Sequence, residues 1–307
     1  MTDAPPGVHE LAQRRAQARS ARDFVRADAL RAEIAAAGWL VVDSAEGYAL
    51  VPKPPYDVVA DVHAIRPRTT ARRAVVTLLV EGWPDDVRAC LTALLEHAPR
   101  DIGVVALDLG NVDGAGDVAH EFAADRPEVV DVIHVATSMP FGAAQATLLG
   151  YDPSPVHVLM ETSTILEGDA ISPLLAAFED PAVVGAGWRG ANVDDDWRGF
   201  HDAGPGRVES VLGYFFAVRR DAALAIAEDP ASPFAKARFY RNVDLELSYW
   251  LRDAGGALVV VPDLPVRQSR HRGYHDSDAA YRDRESKRNY DRFLQRFRDR
   301  DDLRLTR

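Results

Sequence analysis

The sequence has little that could crosslink the chain or anchor it in a membrane. Of its 307 residues one is a cysteine, Cys90, so the chain can form neither an intramolecular disulfide nor a cysteine-based metal cluster. The longest apolar runs, such as residues 74–80, are far too short to span a bilayer. The N-terminal residues lack the apolar stretch of a secretory signal. We therefore expect a cytoplasmic protein without a transmembrane segment.

Positive charge is also scarce. The chain has 36 lysines and arginines against 47 aspartates and glutamates, for a formal net charge of −11. This balance excludes non-specific binding of nucleic acids or anionic membranes by the protein as a whole, although a local site can still bind a phosphorylated ligand. Hydrophobic residues make up 47% of the chain, which is typical of a soluble protein with a sizeable core.

The N-terminal part of the chain has a pattern of its own. Residues 9–37 are rich in alanine, arginine and glutamate, with apolar residues at helical spacing, and Gly38 is suited to end a helix. Residues 39–52 alternate around a short polar turn, which predicts a hairpin. The proline-rich residues 56–71 predict a linker. We therefore expect a small helical and hairpin module over residues 1–55.

Beyond the linker, apolar strands alternate with amphipathic helices. The first four strand patterns cover residues 74–80, 102–108, 129–136 and 157–163. Alternation at this spacing predicts an α/β fold, with a mainly parallel sheet flanked by helices on both faces. We expect this domain over residues 72–277, followed by a charged amphipathic C-terminal helix over residues 278–307.

Acidic residues lie at the ends of the apolar stretches of three of these strands, namely Glu81, Asp108 and Glu161. The carboxyl ends of parallel strands meet at one edge of a sheet, where ligands of such folds bind. Converging carboxylates can bind sugar hydroxyls, base N–H groups or a divalent cation. Each residue alone is equally explained as a solvated loop residue, but the three together favour a ligand site. Glycines after the second strand lack the dinucleotide-binding spacing, which excludes a Rossmann dehydrogenase.

The order of these features over residues 72–275 resembles that of family 2 glycosyltransferases of the GT-A fold. The resemblance implies a nucleotide-sugar donor, bound through Glu81, Asp108, Glu161 and the glycine-containing helix start at Gly142.

The metal-binding Asp-x-Asp of that family is matched here by Glu161-Thr162-Ser163. The resemblance implies a divalent cation, Mg²⁺ or Mn²⁺, held by Glu161, Ser163 and His271 together with the donor phosphates. One carboxylate and one hydroxyl bind such an ion less firmly than two carboxylates do. The sequence therefore predicts an altered form of the metal site.

The catalytic base of the family lies at a helix start that residues 241–249 match. Asn242 stands in place of an acidic residue and cannot act as a general base, which leaves Asp244 as the candidate. By resemblance, the transfer inverts the anomeric centre of the sugar. We expect the acceptor, a glycan, a lipid-linked molecule or a small molecule, near Trp188 and Trp197, because tryptophan stacks on sugars. Packing within the loop is the alternative role for both tryptophans.

Residues 14–50 resemble the small C-terminal module of cysteinyl-tRNA synthetases. The resemblance implies RNA contacts through four arginines, Arg15, Arg19, Arg22 and Arg26. Acidic residues are interleaved with them and the whole chain is acidic, so docking of a protein partner is the favoured interpretation.

Two functions fit the sequence. The first is a nucleotide-sugar-dependent, inverting glycosyltransferase. The second is a non-catalytic scaffold that binds a nucleotide or a partner on a degenerate glycosyltransferase fold, and the two missing carboxylates motivate it. Metal-dependent consumption of a nucleotide-sugar, abolished by Asp244→Ala and by Glu161→Ala, separates the first from the second.

Overall fold

The computed structural model describes residues 3–44 and 47–305. The chain divides into two compact units, Met1–Asp57 and Val58–Arg307, which we call the small unit and the large unit. This boundary lies within two residues of the predicted end of the module. Among the described residues, no helix combines the length and apolar character needed to cross a membrane.

The small unit consists of two helices and a hairpin, as predicted. Its elements are α1 (Pro6–Ser20), α2 (Phe24–Ala36), β1 (Trp39–Ser44) and β2 (Gly47–Pro52), with the two strands antiparallel. The predicted helical stretch is broken at Arg22, which has a φ of 58°. Asp23 then starts α2 by accepting a hydrogen bond from the Arg26 N–H at 3.1 Å. Residues 45–46 of the predicted turn lie outside the described residues.

An apolar cluster and a buried ion pair hold the small unit together. Val8, Ala12, Ile34 and Val41 are buried in the cluster. Arg15 is 2% exposed and donates two hydrogen bonds of 2.7 Å to the Asp43 carboxylate. Because this guanidinium is buried and paired, it is unavailable for the RNA contact that the resemblance implied.

The large unit contains the remaining strands and helices. The strands are β3 (Val58–Val59), β4 (Ala74–Val80), β5 (Ile102–Leu109), β6 (Val130–Val135), β7 (Val156–Met160), β8 (Thr164–Leu166), β9 (Val183–Gly187), β10 (Gly190–Val193), β11 (Phe200–Ala203), β12 (Gly206–Val208), β13 (Ser210–Val211), β14 (Phe215–Arg219), β15 (Ala257–Val260) and β16 (Val266–Gln268). The helices are α3 (Pro84–His97), α4 (Ala115–Asp125), α5 (Phe141–Tyr151), α6 (Ile171–Ala176), α7 (Arg220–Ala227), α8 (Pro233–Lys236), α9 (Val243–Asp253), α10 (Arg272–His275) and α11 (Ala279–Phe297).

Nine strands of the described chain form one sheet in the order β12-β15-β9-β14-β7-β4-β5-β6-β3. The neighbours from β7 to β3 are parallel, and β14 runs antiparallel between β7 and β9. The mainly parallel α/β sheet predicted from the sequence is thereby confirmed. The strand β3 lies inside the predicted linker, so part of residues 56–71 belongs to this sheet.

The central strands are mostly apolar and buried because both faces of the sheet are covered. Every residue of β4 and β5 is buried. Leu91 and Leu94 of α3 pack on one face and Leu148 of α5 on the other. Cys90 of α3 is also buried.

The C-terminal helix α11 packs on the rest of the large unit and ends at Phe297, so it covers only part of the helix predicted over residues 278–307. Phe293 and Phe297 of α11 are buried against Tyr249 of α9, with ring centroids 5.0 and 5.6 Å apart. The Asn289 side chain donates to the carbonyls of Phe239 and Arg241, which lie just before α9. Helix α11 therefore supports the segment that leads into the α9 start.

Candidate functional site

A cavity of about 230 Å³ lies at the carboxyl ends of β4 and β7. Its walls come from the starts of α3, α5 and α9, the turn before β14, and α10. Most of the predicted site residues line it: Glu81, Gly142, Glu161, Ser163, Asn242, Asp244 and His271. Glu81 and Glu161 lie together at one edge of the sheet, as expected from their positions at the ends of strands.

Glu161 is the first residue after β7, and its side chain is held in a closed network. Its backbone N–H donates to the Tyr214 carbonyl at 3.1 Å. The Glu161 carboxylate contacts Nε2 of His271, and the nearby Ser163 hydroxyl favours its charged form. That hydroxyl in turn accepts from Nε2 of Gln268 at 3.2 Å. Burial raises the pKa of Glu161, and His271 and Ser163 only partly oppose the rise.

Both ring nitrogens of His271 have partners. Nδ1 accepts the Tyr274 N–H at 2.9 Å and thereby caps α10, so the ring carries its exchangeable proton on Nε2, facing Glu161. The ring stacks on Tyr240 with centroids 4.5 Å apart. Burial is the largest influence on the pKa of His271 and lowers it, but the hydrogen bond to Glu161 and the charges of Glu161 and Glu81 together outweigh burial, so the net shift is upward.

The predicted metal ligands lie together, but they bind one another. Glu161, Ser163 and His271 share the network just described. Across residues 3–44 and 47–305, no three histidine, cysteine, aspartate or glutamate side chains are grouped so as to hold a metal ion. Mg²⁺ and Mn²⁺ favour several oxygen ligands, chiefly carboxylates. As placed, these residues do not fit the two-carboxylate ion site typical of the family.

Asp244 is held by the backbone rather than by side chains. Its Oδ2 accepts the Gly213 N–H at 3.0 Å, and Oδ1 accepts the Leu245 N–H at 2.9 Å. Burial raises the pKa of Asp244, although these hydrogen bonds favour its charged form. A Cβ at Gly213 would lie 2.8 Å from Oδ2, so the turn needs glycine to approach the carboxylate. The arrangement is suited to accepting a proton from a ligand hydroxyl.

Asn242 starts α9 with a left-handed backbone, at a φ of 67°. Its side-chain amide donates to the Ser286 carbonyl at 3.0 Å and so links the helix start to α11. Asn242 lines the cavity, and its amide serves as an anchor for α11.

Two solved structures share the architecture of the large unit. A crystal structure of GalNAc-T7 with UDP, GalNAc and Mn²⁺ matches with a TM-score of 0.58 and 15% identity, over 74% of this chain and 48% of that chain. The mannosyltransferase PcManGT from Pyrobaculum calidifontis, in complex with GDP-Man and Mn²⁺, matches with a TM-score of 0.53 and 18% identity, over 73% of this chain and 63% of that chain. The large unit has the GT-A glycosyltransferase fold. The fold prediction is thereby confirmed.

The small unit matches a different family. Residues 1–47 match the family model of the cysteinyl-tRNA ligase anticodon binding domain. A cysteine–tRNA ligase from Opitutus terrae is 52% identical over 50 residues, which are 16% of this chain and 11% of the ligase. The predicted resemblance of the module is therefore confirmed. The chain spans about a tenth of that ligase, and about half and just under two thirds of the two glycosyltransferases.

Two predicted donor ligands of the GT-A fold are engaged within the protein. Asp108 is 1% exposed and lies outside the cavity, where it contacts Nδ1 of His134 at 2.9 Å and accepts the Asn111 N–H. Gly142 lines the cavity, but its N–H donates to the Ala237 carbonyl at 2.9 Å. In this arrangement neither residue offers a free polar group to a nucleotide, so their donor-binding roles stay predictions.

The two predicted acceptor tryptophans lie outside the cavity of the GT-A unit. Trp197 is 3% exposed and packs against Tyr249 and Phe293. Trp188 packs against the core beside the sheet. Both therefore have the packing role that the sequence left as the alternative. The cavity wall carries other aromatic side chains instead: Trp83, Phe141, Phe200, Phe216, Phe234, Tyr214 and Tyr240.

The sequence interpretation missed three arginines of the cavity wall: Arg189, Arg241 and Arg272. Arg272 lies 3.3 Å from Asp86, and Arg241 stacks over the Tyr274 ring at 5.0 Å. Arg241 directly precedes Asn242, and Arg272 directly follows His271. Their positions beside predicted site residues could have indicated that they line the same cavity. Trp83 precedes α3 with a left-handed backbone. The Gly-Trp-Pro sequence directly after Glu81 could have indicated that Trp83 lies in the loop beside the site.

Proposed function

We propose that the large unit is a nucleotide-sugar-dependent glycosyltransferase of family 2, which transfers a sugar to a hydroxyl acceptor with inversion. The observation that carries the proposal is Asp244, a backbone-held carboxylate in the same cavity as Glu161. UDP and GDP-Man occur in the two structures of the same fold, which favours a sugar linked to a nucleoside diphosphate as donor.

In the proposed reaction, the acceptor hydroxyl lies against Asp244 and gives its proton to that carboxylate as its oxygen attacks the anomeric carbon. The bond from that carbon to the diphosphate oxygen breaks, and the nucleoside diphosphate leaves. A raised pKa makes Asp244 a stronger base than an exposed aspartate. The Tyr214 and Tyr240 rings line the cavity and offer faces for a sugar to stack on.

The first test is thermal unfolding of the full chain with UDP, GDP, dTDP and CMP and their sugars, each with and without Mn²⁺. We expect one nucleotide series to raise the melting temperature, because a ligand of the native state stabilises it. The predicted requirement for Mg²⁺ or Mn²⁺ is tested by the same pairs of samples. Binding followed by release of the nucleotide from its sugar supports the enzyme. Binding without turnover of any donor would favour the scaffold instead.

For the small unit we propose a docking role toward a protein partner. Phe24 and Val25 are exposed at the start of α2, next to the exposed Arg22 and Arg26. Two of the four arginines proposed to contact RNA are engaged otherwise, because Arg15 and Arg19 both lie against Asp43. We expect no tRNA binding in fluorescence anisotropy at physiological salt. Binding that Arg22→Ala and Arg26→Ala together abolish would assign an RNA partner.

A further inference from the structure

Of the three predicted metal ligands in the cavity, Ser163 is the one whose side chain cannot carry a charge. It ends the Glu161-Thr162-Ser163 segment, where the family carries the second metal-binding carboxylate. Ser163 is 5% exposed, and its hydroxyl accepts a hydrogen bond from Gln268 at 3.2 Å beside the Glu161 carboxylate. A neutral hydroxyl adds no charge to a metal shell.

The other two predicted metal ligands, Glu161 and His271, contact each other and are therefore not available to a cation. For a cation to bind His271, Nε2 would have to lose its proton and its contact with Glu161. Nδ1 of His271 cannot bind the cation instead, because it accepts the Tyr274 N–H and caps α10. A cation that bound here would have to open this buried pair, which costs free energy.

The cavity wall carries positive charge of its own. Arg241 lies just before α9 and Arg272 lies in α10, and both line the cavity. Arg272 also lies 3.3 Å from Asp86. Arg241 is exposed, stacks on Tyr274, and makes no ion pair within the described part of the chain. Guanidinium groups bind phosphate oxygens with paired N–H donors, and they need no deprotonation to do so.

We propose that this chain binds the diphosphate of a nucleotide through Arg241 and Arg272, without a divalent cation, and that Ser163 is the substitution that removed the ion site. The inference rests on the proposed glycosyltransferase function and names how its donor is held. Guanidinium groups of the chain then stabilise the negative charge that develops on the leaving diphosphate.

The first experiment is calorimetric titration of the full chain with UDP and with GDP, in EDTA and in excess Mn²⁺. We expect the Kd of the better nucleotide to differ by less than about threefold between the two conditions. We expect Arg241→Gln to weaken binding by about tenfold or more in EDTA. Arg267→Gln is the matched control, because Arg267 is exposed, pairs with Glu167 and lies outside the cavity wall.

The outcomes distinguish the inference from the function on which it rests. Nucleotide binding seen only with Mn²⁺ would overturn the inference and leave the glycosyltransferase proposal standing. Equal loss of affinity in Arg241→Gln and Arg267→Gln would overturn the assignment to Arg241. Failure of every nucleotide to bind, with or without Mn²⁺, would overturn both the proposed function and the inference.

A second variant tests Ser163 by gain of binding. Ser163→Asp restores the missing carboxylate, and we expect the variant to bind Mn²⁺ in the presence of nucleotide, measured by loss of the free-ion signal in electron paramagnetic resonance. Thr162→Asp is the control, because it adds the same charge one residue away on the cavity wall. Circular dichroism establishes that both variants fold. Equal Mn²⁺ binding by the wild type and Ser163→Asp would overturn the role of Ser163.

Discussion

At the residue scale, two of the carboxyl groups that line the cavity, Glu161 and Asp244, differ in the partners that hold them. Glu161 lies against the side chains of His271 and Ser163. Asp244 is bound by peptide N–H groups, which orient the carboxylate without supplying a proton. Two carboxyl groups in different surroundings can have different chemical roles in one site. Asp244 is thus the group of the pair that is free to take a proton from a substrate.

The Asp244→Asn variant tests this assignment. Asparagine keeps the shape and the Gly213 hydrogen bond but cannot accept a proton from a hydroxyl. We expect turnover of the donor to fall by about 100-fold or more, with nucleotide affinity changed by less than about threefold. The rate of nucleotide release measures it. Asp253→Asn, at the far end of the same helix, should keep its turnover. An unchanged rate in Asp244→Asn would contradict the assignment.

The ion pair of the small unit gives a second prediction at this scale. Asp43→Ala leaves the Arg15 guanidinium, 2% exposed, without its two hydrogen bonds. We expect the small unit to lose about 1–3 kcal/mol of stability, because a buried charged donor is left unsatisfied. Hydrogen exchange of α1 and β1 peptides in the full chain measures the loss. Glu33→Ala, on the exposed face of α2, should exchange like the wild type. Equal protection in both variants would refute the prediction.

At the element scale, the start of α5 is satisfied by the chain itself. The first N–H groups of the helix donate to the Arg238 and Ala237 carbonyls. The Gly142 Cα lies so close to the backbone at Pro233 that a Cβ would be 2.3 Å from the Pro233 carbonyl oxygen. This contact packs residues 233–238 on α5 and thereby places the chain that leads into α9. The cavity wall therefore depends on a glycine at the start of a helix.

Two glycines of α5 provide a matched pair of variants. Gly142→Ala forces a clash with backbone, which cannot move away as a side-chain tip can. We expect it to destabilise the protein by about 1–3 kcal/mol. Gly150→Ala meets nothing within 4 Å and should stabilise it by about 0.5–1 kcal/mol, because alanine loses less entropy in a helix. Thermal unfolding measures both. Shifts of the same sign would contradict this account.

At the scale of the whole molecule, each unit has its own apolar core. The cavity is lined by residues 79–273 alone, all within the large unit. We therefore expect a chain of residues 58–307 to fold and to bind nucleotides with a Kd within about threefold of the full chain. Circular dichroism and calorimetry test this. An unfolded product, or loss of nucleotide binding, would show that the large unit needs the small one.

A buried histidine in the central sheet makes the stability of the large unit depend on pH. Burial lowers the pKa of His157 to about 4, and Nε2 bonds the Asp152 carbonyl at 3.0 Å. Between about pH 4 and pH 6.5 the unfolded chain binds a proton that the folded chain does not, so stability rises with pH across this window. The full effect is about 3 kcal/mol.

Melting temperatures measured from pH 4 to pH 7 test this prediction. His157→Gln keeps an N–H donor but does not titrate, so the rise with pH should flatten. His201→Gln is the control, because His201 is half exposed and paired with Asp194 at the surface. A slope that is the same in wild type and His157→Gln would place the pH dependence on other groups.

What the sequence by itself determined is the part of the fold that depends on local pattern. The alternation of strands and helices predicted the parallel sheet, and the positions of Glu81 and Glu161 after strands predicted that they share one edge. These inferences succeed because the geometry of parallel βαβ units leaves few alternatives. The resemblance of both units to their families was read from the same local patterns.

Only the tertiary structure decided which side chains are available. Asp108 lies near the carboxyl end of β5, as Glu81 follows β4, yet Asp108 is buried in contact with His134 from the next strand. Trp197 lies in a loop, yet α9 and α11 enclose it. The Glu161–His271 pair joins residues far apart in the chain. Hydropathy and spacing describe one segment at a time, whereas burial and pairing depend on segments that meet only when the chain is folded.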